Sequence, residues 1–233
     1  TSPSQAARDI QILEVVSSSR RVLAEVYQDD HGCMILRLYQ PDNILLSEML
    51  PVLDNFGLIV LDQFADPVTT ADNEISNIDT FRLQGVRFGD EQAIMDHAHD
   101  LVSAVEAVFT GQMSDDGLNQ LVLCAGVPWN AVDMIRGYLG YARQLGLRYT
   151  QVRIEEILLA QPELVQLLWN YFHARFDPDL SGDRAKAMSE AQDNFDTLVR
   201  GLRAHDQDVT FRTIFNLIES TLRTNFYRQD RIE

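Results

Sequence analysis

The sequence predicts an α+β chain, with a small antiparallel sheet and helices over residues 1–112 followed by an all-α helical bundle over residues 113–233. Three observations lead there. Runs of β-favouring, alternating residues occur only before residue 90, whereas apolar residues recur at helical spacing throughout the remainder. Charge divides in the same region: residues 1–120 carry 6 basic and 20 acidic side chains, and residues 121–233 carry 13 and 15. The chain has 233 residues, 45% of them hydrophobic, which is enough to bury one or two ordinary cores.

The elements follow in order. RVLAEVY (Arg21 to Tyr27) and CMILRLY (Cys33 to Tyr39) read as strands, joined by the turn-forming Gln28-Asp29-Asp30-His31-Gly32 into a hairpin. Pro41-Asp42-Asn43 breaks the second strand. Ser47 is expected to cap a helix in which Leu46, Met49, Leu50, Leu53 and Phe56 share one face, with Pro51 in its first turn and Gly57 at its end. Leu58 to Phe64 reads as a third strand, DPVTTADNE as a loop and Ile75 to Val86 as a fourth strand. One long helix is expected from Asp90 to Phe109, closing at Gly111. Only helices follow: Asp116 to Cys124, Pro128 to Gly146 with Val132, Ile135, Leu139 and Ala142 on one stripe, and Pro162 to Phe176, stopped by Asp177-Pro178. The last two are read as Arg184 to Arg203 and Asp208 to Tyr227.

Composition excludes several functions. A formal charge of −16 argues against a nucleic-acid partner, which draws on clustered positive charge. No apolar run approaches the ~18 residues of a membrane helix, so no membrane partner is expected. Cys33 and Cys124 are far apart among apolar neighbours and read as buried free thiols of a reducing compartment, the cytoplasm. The chain starts at Thr1 with neither an initiator Met nor a signal-peptide pattern, and reads as an excerpt of something longer.

Catalytic signatures are missing from the sequence. It holds no G-x-G, Walker A, G-x-S-x-G or H-E-x-x-H motif, so neither a nucleotide cofactor nor a catalytic residue is expected in this chain. Lys186 is its one lysine and lies in a polar stretch, where an amine stays solvated. Asp177 to Asp183 begins like a calcium loop, but Met188 stands where the bidentate Glu belongs. His97 and His99 diverge by about 200° around a helix, too far for one metal ion. Glu155-Glu156 and Asp29-Asp30 read as exposed charge. No metal site is expected.

Several ordered blocks of this chain resemble the large bacterial NAD-specific glutamate dehydrogenases. FTGQMSDDGLNQLVLCAGVPWNAVDMIRGYLGYARQLG is similar to their segment between the regulatory and catalytic regions, on Asp116, Asn119, Leu121, Val122, Ala125, Gly126, Trp129, Arg136, Tyr138, Tyr141, Arg143 and Gln144. Phe176-Asp177-Pro178 and the STLRTNFY block with Arg223 and Asn225 resemble later blocks. ILLSEMLPVLDNFGLIVLD resembles their regulatory α/β module. Departures fall at Asp206-Gln207-Asp208, where an acidic-Asp-Arg run is usual in the family, and at Gly137, where it carries a larger small residue.

The resemblance implies a ferredoxin-like, ACT-like module over residues 1–112 and a helical linker domain over 113–233. Together they would form a regulatory and assembly region whose catalytic, NAD-binding domain lies downstream in the same chain. The parent would deaminate L-glutamate oxidatively to 2-oxoglutarate and ammonium with NAD, as a homo-oligomer responding to an amino-acid effector. The fourth core strand of such a module, expected after the Asp90 helix, is absent, and the Arg21 to Tyr27 strand is the candidate to replace it. Effector contacts are expected at Asp42, Asn43 and Ser47, beside free N–H groups of a helix start, although the same residues also read as a turn and a cap. Asn119, Trp129, Arg136, Tyr138, Arg143, Arg223 and Asn225 are expected as buried or inter-helix structural contacts, so Arg223→Ala should cost about a kcal/mol or more. The competing reading is a stand-alone acidic helical scaffold that docks a partner protein.

Overall fold

The computed structural model describes residues 3–69 and 75–228, which divide into two compact units between Asn130 and Ala131. The first opens with α1 (Pro3–Ser19), a helix that the hydrophobic pattern did not reveal. Four strands follow: β1 (Leu23–Gln28), β2 (Met34–Gln40), β3 (Leu58–Thr69) and β4 (Ile75–Val86), antiparallel in the order β1-β2-β4-β3. The expected hairpin is present, with Leu23 opposite Tyr39 and Gln28 opposite Met34. β3 runs five residues beyond its predicted end, so Asp66 to Thr69 pair with β4 and do not belong to a loop; residues 70–74 of the predicted loop lie outside the described residues.

Both faces of the sheet are covered, which explains the nearly unbroken apolar run of β2. On one face α1 places Leu13 and Val16 against Tyr39 and Ile78. On the other lies α2 (Leu46–Asn55), burying Met49, Val52 and Leu53. Ser47 does not cap α2. The cap position is Leu45, whose backbone N–H is met by the Glu48 carboxylate, and Ser47 is the second residue of the helix, exposed. Pro51 stands in the second turn on the exposed side, where its missing N–H leaves a carbonyl to water.

The predicted Asp90 helix is broken in two: α3 (Ala93–Asp96) and α4 (Ala98–Phe109), parted at His97, whose φ of −115° leaves the helical range. α4 packs on α2 and on β1 and closes at Gly111, φ +71°, with the Gln112 and Met113 N–H groups returning to the Ala107 carbonyl. A 3₁₀ turn (Gly117–Gln120), capped by Asp116 at the Leu118 N–H, leads into α5 (Leu121–Cys124).

The second unit is helical. α6 (Trp129–Gln144) buries Val132, Ile135, Leu139 and Ala142 as its sequence stripe required. α7 (Gln151–Leu159), capped by Thr150, was not foreseen; α8 (Pro162–Phe176) has its expected bounds. α9 (Arg184–Arg200) ends three residues early, and α10 (His205–Ser220) starts earlier and stops seven residues short of Tyr227. The reason for that early stop is tertiary. Phe226 packs on Phe172 at 5.1 Å and Trp169 at 5.8 Å, and the Tyr227 hydroxyl meets His173 Nδ1 at 2.9 Å, contacts on α8 that a continued helix would forfeit. Arg184 closes the C-terminal end of α8, donating to the Ala174 and Arg175 carbonyls at 2.7 and 2.8 Å.

Candidate functional site

The end of α4 and the start of β1 face each other across a gap. In a ferredoxin-like module the last helix feeds the edge strand beside the first core strand; here β1 fills that place, antiparallel to β2, but is reached from α1 instead. The chain leaves α4 at Gly111 and does not bridge the gap. What remains is an open cleft of about 380 Å³, lined by Arg20, Arg21 and Val22 at the entry to β1, by Phe109, Thr110 and Gln112 at the end of α4, and by Pro41, Asp42 and Ile44 after β2.

Its polar groups are local products of the chain. Arg20 ends α1 in the left-handed region, φ +55°, with its N–H on the Val16 carbonyl at 2.8 Å, a position where glycine is usual and any other residue is strained by about a kcal/mol. Its guanidinium meets Asp42 at 2.7 Å with both side chains exposed. Arg8, Arg37, Arg82 and Arg87 likewise have carboxylate partners. Among the described residues of this acidic half, Arg21 is the arginine without one. The cleft therefore combines two guanidiniums, one carboxylate and an amide with apolar walls. An exposed ion pair is worth at most about 1 kcal/mol, so a ligand carrying its own carboxylate and ammonium can replace it at little cost.

Of the predicted effector residues, the structure places Asp42 in this cleft; Asn43 and Ser47 are exposed and do not line it. Sequence reasoning passed over Arg20, Arg21, Thr110 and Gln112. The signal available for the first two was an adjacent arginine pair in a stretch holding few basic residues.

A second cleft, about 440 Å³, runs along the free edge of β1 beside α4. There Glu106 accepts the outward N–H of Ala24 at 2.8 Å, and burial pushes its carboxyl above the usual range. Glu106 thus blunts an open strand edge.

The motif residues of the helical part divide by environment. Asn119 is fully buried, Arg136 is half-buried on Asp133 at 2.6 Å, and the Tyr138 hydroxyl lies 2.9 Å from that of Thr221. Trp129 is half-buried. Arg143, Arg223 and Asn225 are exposed: Arg143 makes an inter-helix contact from α6 to the Gln151 side chain of α7, whereas Arg223 and Asn225, expected as buried or inter-helix contacts, stand in a turn between the anchors Thr221 and Phe226. Arg223→Ala is accordingly expected to move the denaturant midpoint by no more than about 0.5 kcal/mol, measured by urea unfolding.

Cys33 and Cys124 are free and half-buried, and burial pushes the Cys124 thiol up to about 12, which removes its thiolate at neutral pH. Asp183 caps α9 at the Lys186 N–H, and Asp177 accepts from the Asp179 N–H, so the calcium-like run serves as a capped connection. No helix among the described residues is long and apolar enough to cross a membrane.

Sheet order, covering helices and cleft define an ACT-like module followed by a helical region. Comparison with known proteins agrees. Residues 22–95 match the glutamate dehydrogenase ACT3 domain, and residues 113–178 match the glutamate dehydrogenase helical motif 3. The chain is 30% identical over 239 residues to the NAD-specific glutamate dehydrogenase of Mycobacterium tuberculosis, covering 97% of this chain and 14% of that protein. It is 28% identical over 236 residues to the enzyme of the same name from Pseudomonas aeruginosa, with 98% and 14% covered. For that of Halomonas elongata the identity is 26% over 204 residues, with 88% and 12% covered. The chain fits a segment of a large NAD-specific glutamate dehydrogenase, carrying that family's ACT3 domain and a helical motif. It spans no more than about one seventh of these relatives' length.

Proposed function

We propose that this chain is the regulatory and assembly region of a large NAD-specific glutamate dehydrogenase and performs no chemistry itself. The parent polypeptide oxidises L-glutamate, passing a hydride to NAD, and water then releases 2-oxoglutarate and ammonium. The catalytic domain of the same polypeptide is the first partner, a second copy of the polypeptide the next, and the cytoplasm the setting. The observation that carries this reading is the ACT-like sheet together with its match to the ACT3 domain of that family. The absence of any G-x-G from the sequence supports placing the nucleotide site elsewhere in the parent. The division after residue 112 is proposed as the domain boundary, supported by the helical-motif match that begins at residue 113.

In this reading an amino-acid effector is held at the loop after β2. Asp42 takes its ammonium, and Arg20 and Arg21 take its carboxylate. Two measurements test the proposal. The chain mixed with L-glutamate and NAD is expected to form no reduced nucleotide, and turnover belonging to the chain would overturn the non-catalytic assignment. In a thermal melt against the common amino acids, one of them is expected to raise the midpoint, since a ligand at 100 times its Kd adds about 2.7 kcal/mol. That rise should vanish in Asp42→Ala; a flat panel would overturn the effector assignment.

A further inference from the structure

The cleft between the end of α4 and the start of β1 sorts its lining by exposure. Of its apolar residues, Val22 and Pro41 are buried and Ile44 and Phe109 half-buried, so most of their surface is already covered by neighbours in the fold. Arg20, Arg21, Asp42 and Gln112 are exposed. The Thr110 hydroxyl donates to the Glu106 and Ala107 carbonyls at 2.7 and 3.3 Å, which engages its proton at its own helix end. A ligand side chain entering here therefore covers little apolar surface, and the groups left to recognise it are polar and charged.

Charge decides what kind of side chain fits. Two guanidiniums and one carboxylate line the cleft among the described residues, which leaves one positive charge in excess. Asp42 meets Arg20 through Oδ1 at 2.7 Å, so Oδ2 can accept from an ammonium while that pair stays closed. An amino acid with a neutral side chain is a zwitterion: its ammonium goes to Asp42, its one carboxylate is shared by two guanidiniums, and the excess charge remains. A basic side chain would bring a third cation to a cleft that holds no second carboxylate. A side chain with its own carboxylate gives each guanidinium a partner and brings the site to neutrality. Arg21 has no ion pair of its own to give up among the described residues, whereas Arg20 is already held by Asp42. The second carboxylate thus gains most at Arg21.

We propose that the cleft takes a dicarboxylic amino acid, with its ammonium on Asp42, one carboxylate on Arg20 and the other on Arg21, and that Arg21 sets this selectivity. The proposal rests on the effector reading of the cleft and narrows it to one chemical class.

The experiment is calorimetric titration of the chain at constant ionic strength with two pairs of ligands, L-glutamate against L-glutamine and L-aspartate against L-asparagine. Within a pair the shape is nearly the same and one negative charge differs. At least one acid is expected to bind about tenfold more tightly than its own amide, the difference between a charge-assisted and a neutral hydrogen bond. Arg21→Gln should bring that acid to the level of its amide and leave the amide within about twofold. Glutarate and succinate, which lack the ammonium, should bind at least about tenfold more weakly than the amino acid of the same length. Equal binding of acid and amide in both pairs overturns the proposal and leaves the effector reading standing, as does a neutral amino acid that binds best in the wider panel. A preference that persists in Arg21→Gln, or a dicarboxylate that matches its amino acid, overturns it as well. Should the variant fail to fold, the acid and amide comparison on the unaltered chain still decides. A panel in which no amino acid binds overturns both readings together.

Discussion

Replacing Arg37 by methionine is expected to cost about 3 kcal/mol, read from the urea midpoint, because it leaves a buried carboxylate short of its counter-charge. Arg37 Nη1 lies 2.9 and 3.1 Å from the two oxygens of Asp9, and each side chain of the pair is 11% exposed. Around them the α1 face of the sheet holds a closed polar cluster. The Tyr39 hydroxyl lies 2.8 Å from Asp9 and 3.1 Å from Glu25, and Arg8 pairs with Glu25 at 2.6 Å. Two carboxylates face two guanidiniums, so the cluster is neutral as long as all four remain. Burial with both acids beside it drives the Tyr39 hydroxyl well above its ordinary range, which keeps it a donor. Removing Arg37 leaves Asp9 with the Gln5 amide and Tyr39 alone, which places the cost toward the lower end of what such losses bring. Arg37→Met together with Asp9→Leu should recover most of the loss, since the pair's attraction and its desolvation nearly cancel. A single variant as stable as the parent chain would mean that water already reaches Asp9.

Gly126→Ala should cost about 2 kcal/mol in the same measurement. Two effects add. Gly126 has φ +59°, a region that an L side chain enters at a cost of about 1 kcal/mol. A Cβ built there would lie 2.7 Å from Cε1 and 3.0 Å from Nε2 of His97, so the imidazole of that residue must move. His97→Ala in the Gly126→Ala background removes the clash and retains the backbone strain. That pair of variants should recover about half the loss; full recovery would show that the left-handed turn carries no strain of its own.

Much of the fold was readable because local chemistry decided it. β4 matched its predicted bounds, and so did α8, which Pro162 opens and Asp177-Pro178 closes. β1 could be named as the replacement for the missing edge strand, since a β-favouring run that pairs with β2 has only one free side of the sheet to occupy. Other features were invisible for identifiable reasons. In α1 the polar Asp9 is buried along with Leu13 and Val16, so the buried set holds a carboxylate where the pattern would need an apolar residue. Ser47 looked like a cap by type, yet Glu48 reaching back to the Leu45 N–H won that role. α10 has helical spacing through Tyr227, but Phe226 and Tyr227 gain more by packing on α8. Of the residues expected to hold an effector only Asp42 lies in the candidate cleft, because apart from its neighbours Pro41 and Ile44 the walls come from residues about twenty positions earlier and about seventy later.

Periodicity, proline and glycine placement and the ordered blocks of residues were enough to establish the α+β class, most helices and strands and the family likeness, because each depends on neighbours within a few positions. The tertiary structure alone decided which carboxylates find guanidiniums, that Asp79 finds none among the described residues, and that the end of α4 and the start of β1 leave a cleft between them. Those outcomes depend on distances between residues far apart in the chain, and burial then multiplies the energetic weight of each such meeting.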